Sequence, residues 1–186
     1  VFTSMIPYLN FDEIVKFLVD HGADPNIQDL DDLDSLSYAI KLNSAPFVLA
    51  LINSNKIDPT KRILDQKTGV NKTYLHLAAR LEEPRILLHL LEKKEMDVNA
   101  EDENGETPLM ESCRFYRDKI IEALFQIDDL DYLHVSKNGE NALEIVTKES
   151  KTQEKFTRKD YFQALLNQIL LNENQNNIIN EEEEED

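Results

Sequence analysis

The stretches "KTYLHLAA" (residues 72–79) and "ETPLMESC" (residues 106–113) share one pattern, Thr-x-Leu-x-x-small-small, and Thr107 stands 34 residues beyond Thr73. A period of that length marks repeated supersecondary units, each too small to bury its own apolar face. The question is whether the similarity extends beyond these two stretches.

Four copies of an apolar tetrad do extend it: Ile14-Val15-Leu18-Val19, Phe47-Val48-Leu51-Ile52, Ile86-Leu87-Leu90-Leu91 and Ile120-Ile121-Leu124-Phe125. Residues at i, i+1, i+4 and i+5 form one broad apolar face of a helix. The steps between copies are 33, 39 and 34 residues. Asp34, Thr73, Thr107 and Asn141 independently suit the N-cap of a preceding helix, and Pro108 follows one of them at the first helical position. Their steps are 39, 34 and 34, so both marks place the same insertion between the same two units. Each unit therefore reads as a short helix, a longer helix and a connector. The first helices carry Ala39-Ile40, Ala78-Ala79 and Ser112-Cys113, mostly small side chains that let neighbouring units approach. Between units stand "GADPN" (22–26), "IDPT" (57–60) and "MDVN" (96–99), with Gly22 suited to a helix C-cap. Asn104-Gly105 and Asn138-Gly139 are tight-turn dipeptides, so the connectors should turn back as hairpins.

These residues resemble the ankyrin-repeat family, whose pattern includes Gly-x-Thr-Pro-Leu-His-x-Ala-Ala followed by Gly-Ala-Asp-x-Asn. "NGETPLM" (104–110) and "TYLHLAA" (73–79) match its first part, and "HGADPNIQD" (21–29) its second. The resemblance implies an all-α solenoid of about five stacked helix-turn-helix repeats joined by short β-hairpins. The units are a partial repeat at 1–28, repeats at 29–61, 62–100 and 101–135, and a last repeat at 136–172 ending in a capping helix. The third carries extra residues in "ILDQKTGVN" (63–71), and a polar spacer (150–160) precedes the last helix. Residues 173–186, too poor in apolar content to fold, read as a disordered acidic tail. Asn10, Asn43, Glu82 and Tyr116 stand where the family commonly has glycine, and "DSLS" (34–37) is a distant copy of Thr-Pro-Leu-His.

Composition limits the functions open to this chain of 186 residues. Its net charge is -17, a field that repels nucleic acid and anionic lipid and favours a protein partner with a basic patch. No apolar run approaches the roughly 20 residues of a membrane span, so no direct membrane insertion is expected. The single cysteine, Cys113, excludes an internal disulfide and fits a reducing, intracellular and cytoplasmic setting. A start at Val1 makes the chain read as a fragment, so a missing signal peptide carries no information.

No motif carries catalysis, a metal or a cofactor. His21, His76, His89 and His134 form no metal-binding spacing, and the resemblance gives His76 a structural hydrogen-bonding role. Cys113 falls at the small-residue position of a first helix, which predicts burial and inertness. "DLDDLD" (29–34) fails the EF-hand pattern, with Leu33 at position 5 and Ile40 at position 12. Glycines at 22, 69, 105 and 139 exclude a nucleotide-binding glycine loop.

What remains is a surface. By analogy with the family, the contact positions are the connector tips and the pair after the small residues of each first helix. Here these are Leu30, Asp31 and Leu33; Glu103, Asn104 and Glu106; Lys137, Asn138 and Glu140; and the pairs Lys41-Leu42, Arg80-Leu81 and Arg114-Phe115. Each pair sets a cation beside an apolar side chain, which suits an interface with an apolar centre and a charged rim. The sequence thus points to a non-enzymatic interaction module or scaffold binding a protein on its concave surface. Two alternatives are a subunit embedded in a large assembly and the regulatory part of a larger enzyme or channel.

Overall fold

The computed structural model describes residues 11–149 and Asn167. The expected capping helix and acidic tail, the first ten residues and Asn10 lie outside the described residues. In chain order the elements are α1 (Phe11–Asp20), α2 (Ser35–Lys41), α3 (Ala45–Asn53), β1 (Ile63–Asp65), β2 (Val70–Lys72), α4 (Tyr74–Ala78), α5 (Arg85–Leu91), α6 (Pro108–Arg114), α7 (Asp118–Leu124) and α8 (Ala142–Glu149). The first helices stack in one row, α2 on α4, α4 on α6 and α6 on α8. Behind them α1 packs on α3 and α3 on α5.

Side-chain caps set the start of each first helix. Asp34 Oδ1 accepts from Ser37 N at 2.9 Å while Ser37 Oγ accepts from Asp34 N at 2.8 Å, a reciprocal capping box. Asn141 and Glu144 make the same exchange at 2.9 and 3.1 Å. Thr73 and Thr107 cap α4 and α6, and Pro108 occupies the first turn of α6. The small pairs lie at the centre of the stack: Ala39, Ala78, Ala79, Ser112 and Cys113 are all buried. Three tetrads fill the layer behind, with Val48, Leu51, Ile52, Ile86, Leu87, Leu90, Ile120, Ile121, Leu124 and Phe125 buried. The first tetrad departs from expectation. Val15 is buried but Leu18 is 50% exposed, because α1 packs against α3 and turns Phe17 and Leu18 away from it.

Two of the first helices, α2 and α6, end without the glycine that such ends favour. Asn43 (φ 52°) and Tyr116 (φ 57°) adopt the left-handed conformation. Paired bonds close both ends, Asn43 N to Ile40 O with Ser44 N to Ala39 O, and Tyr116 N to Cys113 O with Arg117 N to Ser112 O.

Among the described residues, paired strands form only in the connector of the third unit, where β1 and β2 run antiparallel with Ile63 opposite Lys72 and Asp65 opposite Val70. The extra residues there give the ladder its length. The other connectors are tighter turns, each closed by two backbone bonds. Asp29 N donates to Leu33 O and Asp32 N to Asp29 O; Asp102 with Glu106 and Gly105, and Ser136 with Glu140 and Gly139, repeat the arrangement. The residue that needs positive φ is Gly105 or Gly139 in two turns and Asp32 (φ 58°) in the first.

On the other side, the loops after the second helices repeat another device. Asp24, Asp58, Asp97 and Asp131 each accept, through Oδ1, the N–H two residues on, at 2.9–3.1 Å. Asn26 then reaches across to the next loop, donating to Lys56 O at 2.7 Å and accepting from Asp58 N at 2.8 Å. Asn99 does the same with Asp129 O at 2.6 Å and Asp131 N at 2.8 Å.

Candidate functional site

The face made by the connector tips and first-helix ends divides into two parts. In the second unit the side chains are uncommitted. Leu30 at the tip is fully exposed, Leu42 is 71% exposed, and Asp31 and Lys41 are exposed with no ion-pair partner among the described residues. Beside them Tyr38 donates to Asp29 Oδ2 at 2.5 Å, which holds the Asp29 carboxyl below the usual carboxylate range. Leu33, expected at the same tip, is instead buried. It immediately precedes the Asp34 cap, and its side chain turns inward to join the core.

In the third to fifth units the charged groups bind one another. Lys72, almost wholly buried, places Nζ 2.5 Å from Asp102 Oδ2, 2.8 Å from Glu111 Oε2 and 3.9 Å from Glu106 Oε2. Burial works against its charge, but Glu111 and Asp102 outweigh that and hold its pKa above the ordinary lysine value. The other oxygen of Glu111 accepts from Arg80 Nε at 2.5 Å, and Arg80 also pairs with buried Asp65. Arg114 joins Glu106 Oε1 at 2.5 Å and lies 3.8 Å from Glu140, which Lys148 meets at 2.8 Å. A continuous chain of ion pairs thus runs from Asp65 to Lys148, over three units.

This chain changes the standing of several expected contact residues. Glu106 is buried and paired, so it is no tip residue. Arg80 and Arg114 are engaged internally, and the Arg80 guanidinium lies 4.8 Å from the centre of the Phe115 ring. Phe115 itself stays 36% exposed, while Leu81 is half-buried against the core. Glu103 is exposed, but its carboxylate accepts from Asn71 Nδ2 at 2.7 Å. Asn104 O accepts from Lys137 N at 2.9 Å, and Lys137 Nζ donates to Glu103 O at 2.8 Å. Asn138 is exposed at the last tip.

Lys72, Asp65, Asp102 and Glu111 were absent from the sequence expectation, yet the repeat register holds a signal for them. The residue before each cap is Leu33, Lys72, Glu106 and Glu140, and the residue seven after it is Lys41, Arg80, Arg114 and Lys148. Glu106–Arg114 and Glu140–Lys148 are complementary pairs within their units. Lys72 and Arg80 are like charges on the same two positions, which demands acids from elsewhere. Asp65, Asp102 and Glu111 are those acids.

Two groups are buried for structural ends. His76 Nε2 faces Glu106 O at 2.8 Å and so carries the proton, leaving Nδ1 to accept from Thr73 Oγ1 at 2.8 Å. Burial lowers its pKa to about 4, so it is neutral near pH 7. Cys113 is buried on α6, and that burial pushes its thiol well above the ordinary range, away from thiolate chemistry.

The family model for ankyrin repeats matches in three copies, over residues 5–102, 36–134 and 75–177. The chain is 30% identical over 112 residues to ankyrin repeat protein R96 of Acanthamoeba polyphaga mimivirus, covering 60% of this chain and 10% of that one. It is 33% identical over 98 residues to ankyrin repeat protein FPV244 of fowlpox virus (strain NVSL), covering 52% and 13%. The chain thus spans about a tenth of the length of these relatives. Ankyrin repeats generally serve as protein–protein interaction modules and are typically non-enzymatic. With its period, capped first helices, small-residue stack and loop asparagines in register with that match, the chain belongs to the ankyrin-repeat family.

Proposed function

We propose that this chain is a non-enzymatic scaffold segment that holds a partner protein on the face formed by its connector tips and first-helix ends. The observation that carries this is the contrast along that face. From the third unit onward the basic first-helix residues are consumed by internal ion pairs, whereas Leu30, Asp31, Lys41 and Leu42 remain free. Exposed leucines flanked by an acid and a base form an apolar centre with a charged rim. Phe115 extends the apolar surface towards the fourth unit. The acidic tips and the net charge of -17 favour a partner with a basic patch. The buried free thiol of Cys113 supports a reducing intracellular setting.

The test is a double substitution, Leu30→Ser with Leu42→Ser, compared with wild type in capture and in melting. These side chains are exposed, so the melting curve should be unchanged while a partner captured by wild type is lost. Full retention of that partner by a normally folded variant refutes this reading.

A further inference from the structure

The loop asparagines leave one junction unbridged. Asn26 and Asn99 each use a single carboxamide to take a carbonyl and an N–H, two residues apart, in the loop of the next unit. At the intervening junction the position belongs to Thr60, whose hydroxyl turns back to Asp58 Oδ1 at 2.7 Å. In register with Lys56 O and Asp58 N, or with Asp129 O and Asp131 N, the groups awaiting an amide are Glu95 O and Asp97 N. Neither has a hydrogen-bond partner among the described residues. Thr60, Glu95 and Asp97 line one cleft of about 340 Å³, with Pro59, Tyr74 and Met96 supplying apolar wall.

The chemistry of the gap selects its ligand. A primary carboxamide presents a donor and an acceptor on one edge, as the two neighbouring asparagines do. A carboxylate presents acceptors alone, so it would oppose Glu95 O, and the acids Glu95, Asp97 and Glu101 outnumber the one cation lining the cleft, Arg62, whose guanidinium already donates to Glu101 O. A trans secondary amide puts its N–H and oxygen on opposite edges. We propose that this cleft is a docking site for an asparagine or glutamine side chain of a protein partner, its carboxamide standing in for the asparagine missing at position 60. The site goes beyond the face proposed above, since it shares none of Leu30, Asp31, Lys41 and Leu42.

The test uses the ¹⁵N-labelled chain titrated with Ac-Ala-Asn-Ala-NHMe, its Gln counterpart, and matched peptides carrying Asp or Leu. The Asn and Gln peptides should shift the Asp97 amide resonance saturably, and the Asp and Leu peptides should bind roughly tenfold more weakly or not at all. Thr60→Asn should fill the gap from within, abolish the response and raise Tm by about 2–4 °C. Equal responses to the Asn and Leu peptides, or no response of Asp97 to the Asn peptide up to its solubility limit, overturn the proposal. So does a folded Thr60→Asn chain that still responds like wild type. If that variant does not fold, the peptide comparison on the wild-type chain decides.

Discussion

His76 joins two units through one imidazole, because Nε2 binds the carbonyl before the next cap while Nδ1 holds its own cap. Protonating Nδ1 removes the acceptor that Thr73 uses, inside a site also facing Lys72, Asp102 and Glu111. The folded pKa of about 4 lies below the ordinary 6.5, so between those values the unfolded chain binds more protons. The contribution of His76 is therefore fully present above about pH 6.5, falls as pH drops towards 4, and amounts to roughly 3 kcal/mol. Urea titrations from pH 7.5 to 4.5 should show this decline, and His76→Gln should flatten it. At the tips, backbone geometry decides. A Cβ on Gly105 would meet Lys137 Cγ and N at 3.1 Å with φ at 71°, so Gly105→Ala should destabilise by about 1–2 kcal/mol. Asp32 holds the equivalent conformation without glycine's freedom, so Asp32→Gly should leave stability unchanged or raise it by up to about 1 kcal/mol. Chemical denaturation of both variants checks the pair. The tip turns and the role of His76 were legible in the sequence. The inward turn of Leu33 was not, because "DLDDLD" shows no difference between its two leucines until the cap fixes the direction of each.

At the scale of helices and connectors, apolar truncation and charge removal act through different layers. Leu90 is wholly buried on α5, so Leu90→Ala should cost about 2–5 kcal/mol. Leu81 is half-buried against the core, so Leu81→Ala should lower stability by a smaller amount rather than leave it unchanged. The ratio of the two losses in thermal melts tests these burial assignments. Lys72 is enclosed by carboxylates from the next unit, and Lys72→Met would leave Asp102 buried without a cation and Glu111 with Arg80 alone. A loss of about 3–5 kcal/mol is expected. Lys119, paired with Glu83 in the open, is the comparison, and Lys119→Ala should leave the midpoint where it is. Helix positions and the apolar faces of α3, α5 and α7 could be read directly, since caps and periodicity are local, whereas the face of α1, where Leu18 is exposed, could not. The ion-pair chain could not, since Lys72 and Glu111 look like ordinary surface residues until units are aligned and stacked. Counting from each cap exposes the like-charged Lys72 and Arg80, a conflict that stacking alone resolves.

Over the whole molecule, acids along the tips should act mainly on encounter with a partner. Exposed charges act over about one Debye length, roughly 8 Å at physiological salt. Asp31 and Glu103 are the exposed tip acids suited to this test. Asp32 holds a turn, and Glu106 is buried in an ion pair. Asp31→Ser with Glu103→Gln should slow association and weaken its salt dependence while leaving dissociation nearly unchanged. Stopped-flow rates at two salt concentrations check this, and identical rates for both chains would show that these acids only solvate the surface.

The chain of ion pairs from Asp65 to Lys148 also gives the array a mechanical direction. Pulled from its two ends, a linear stack yields where its cross-links are fewest. The α1–α3 end is joined by apolar contact and the Asn26 bridge, with Phe17 and Leu18 outside it, whereas the third to fifth units are clamped by buried charges. Stretching should therefore peel α1, α2 and α3 away first as a low-force step. The clamped units should then give way together at higher force, and Lys72→Met should merge the two events into one.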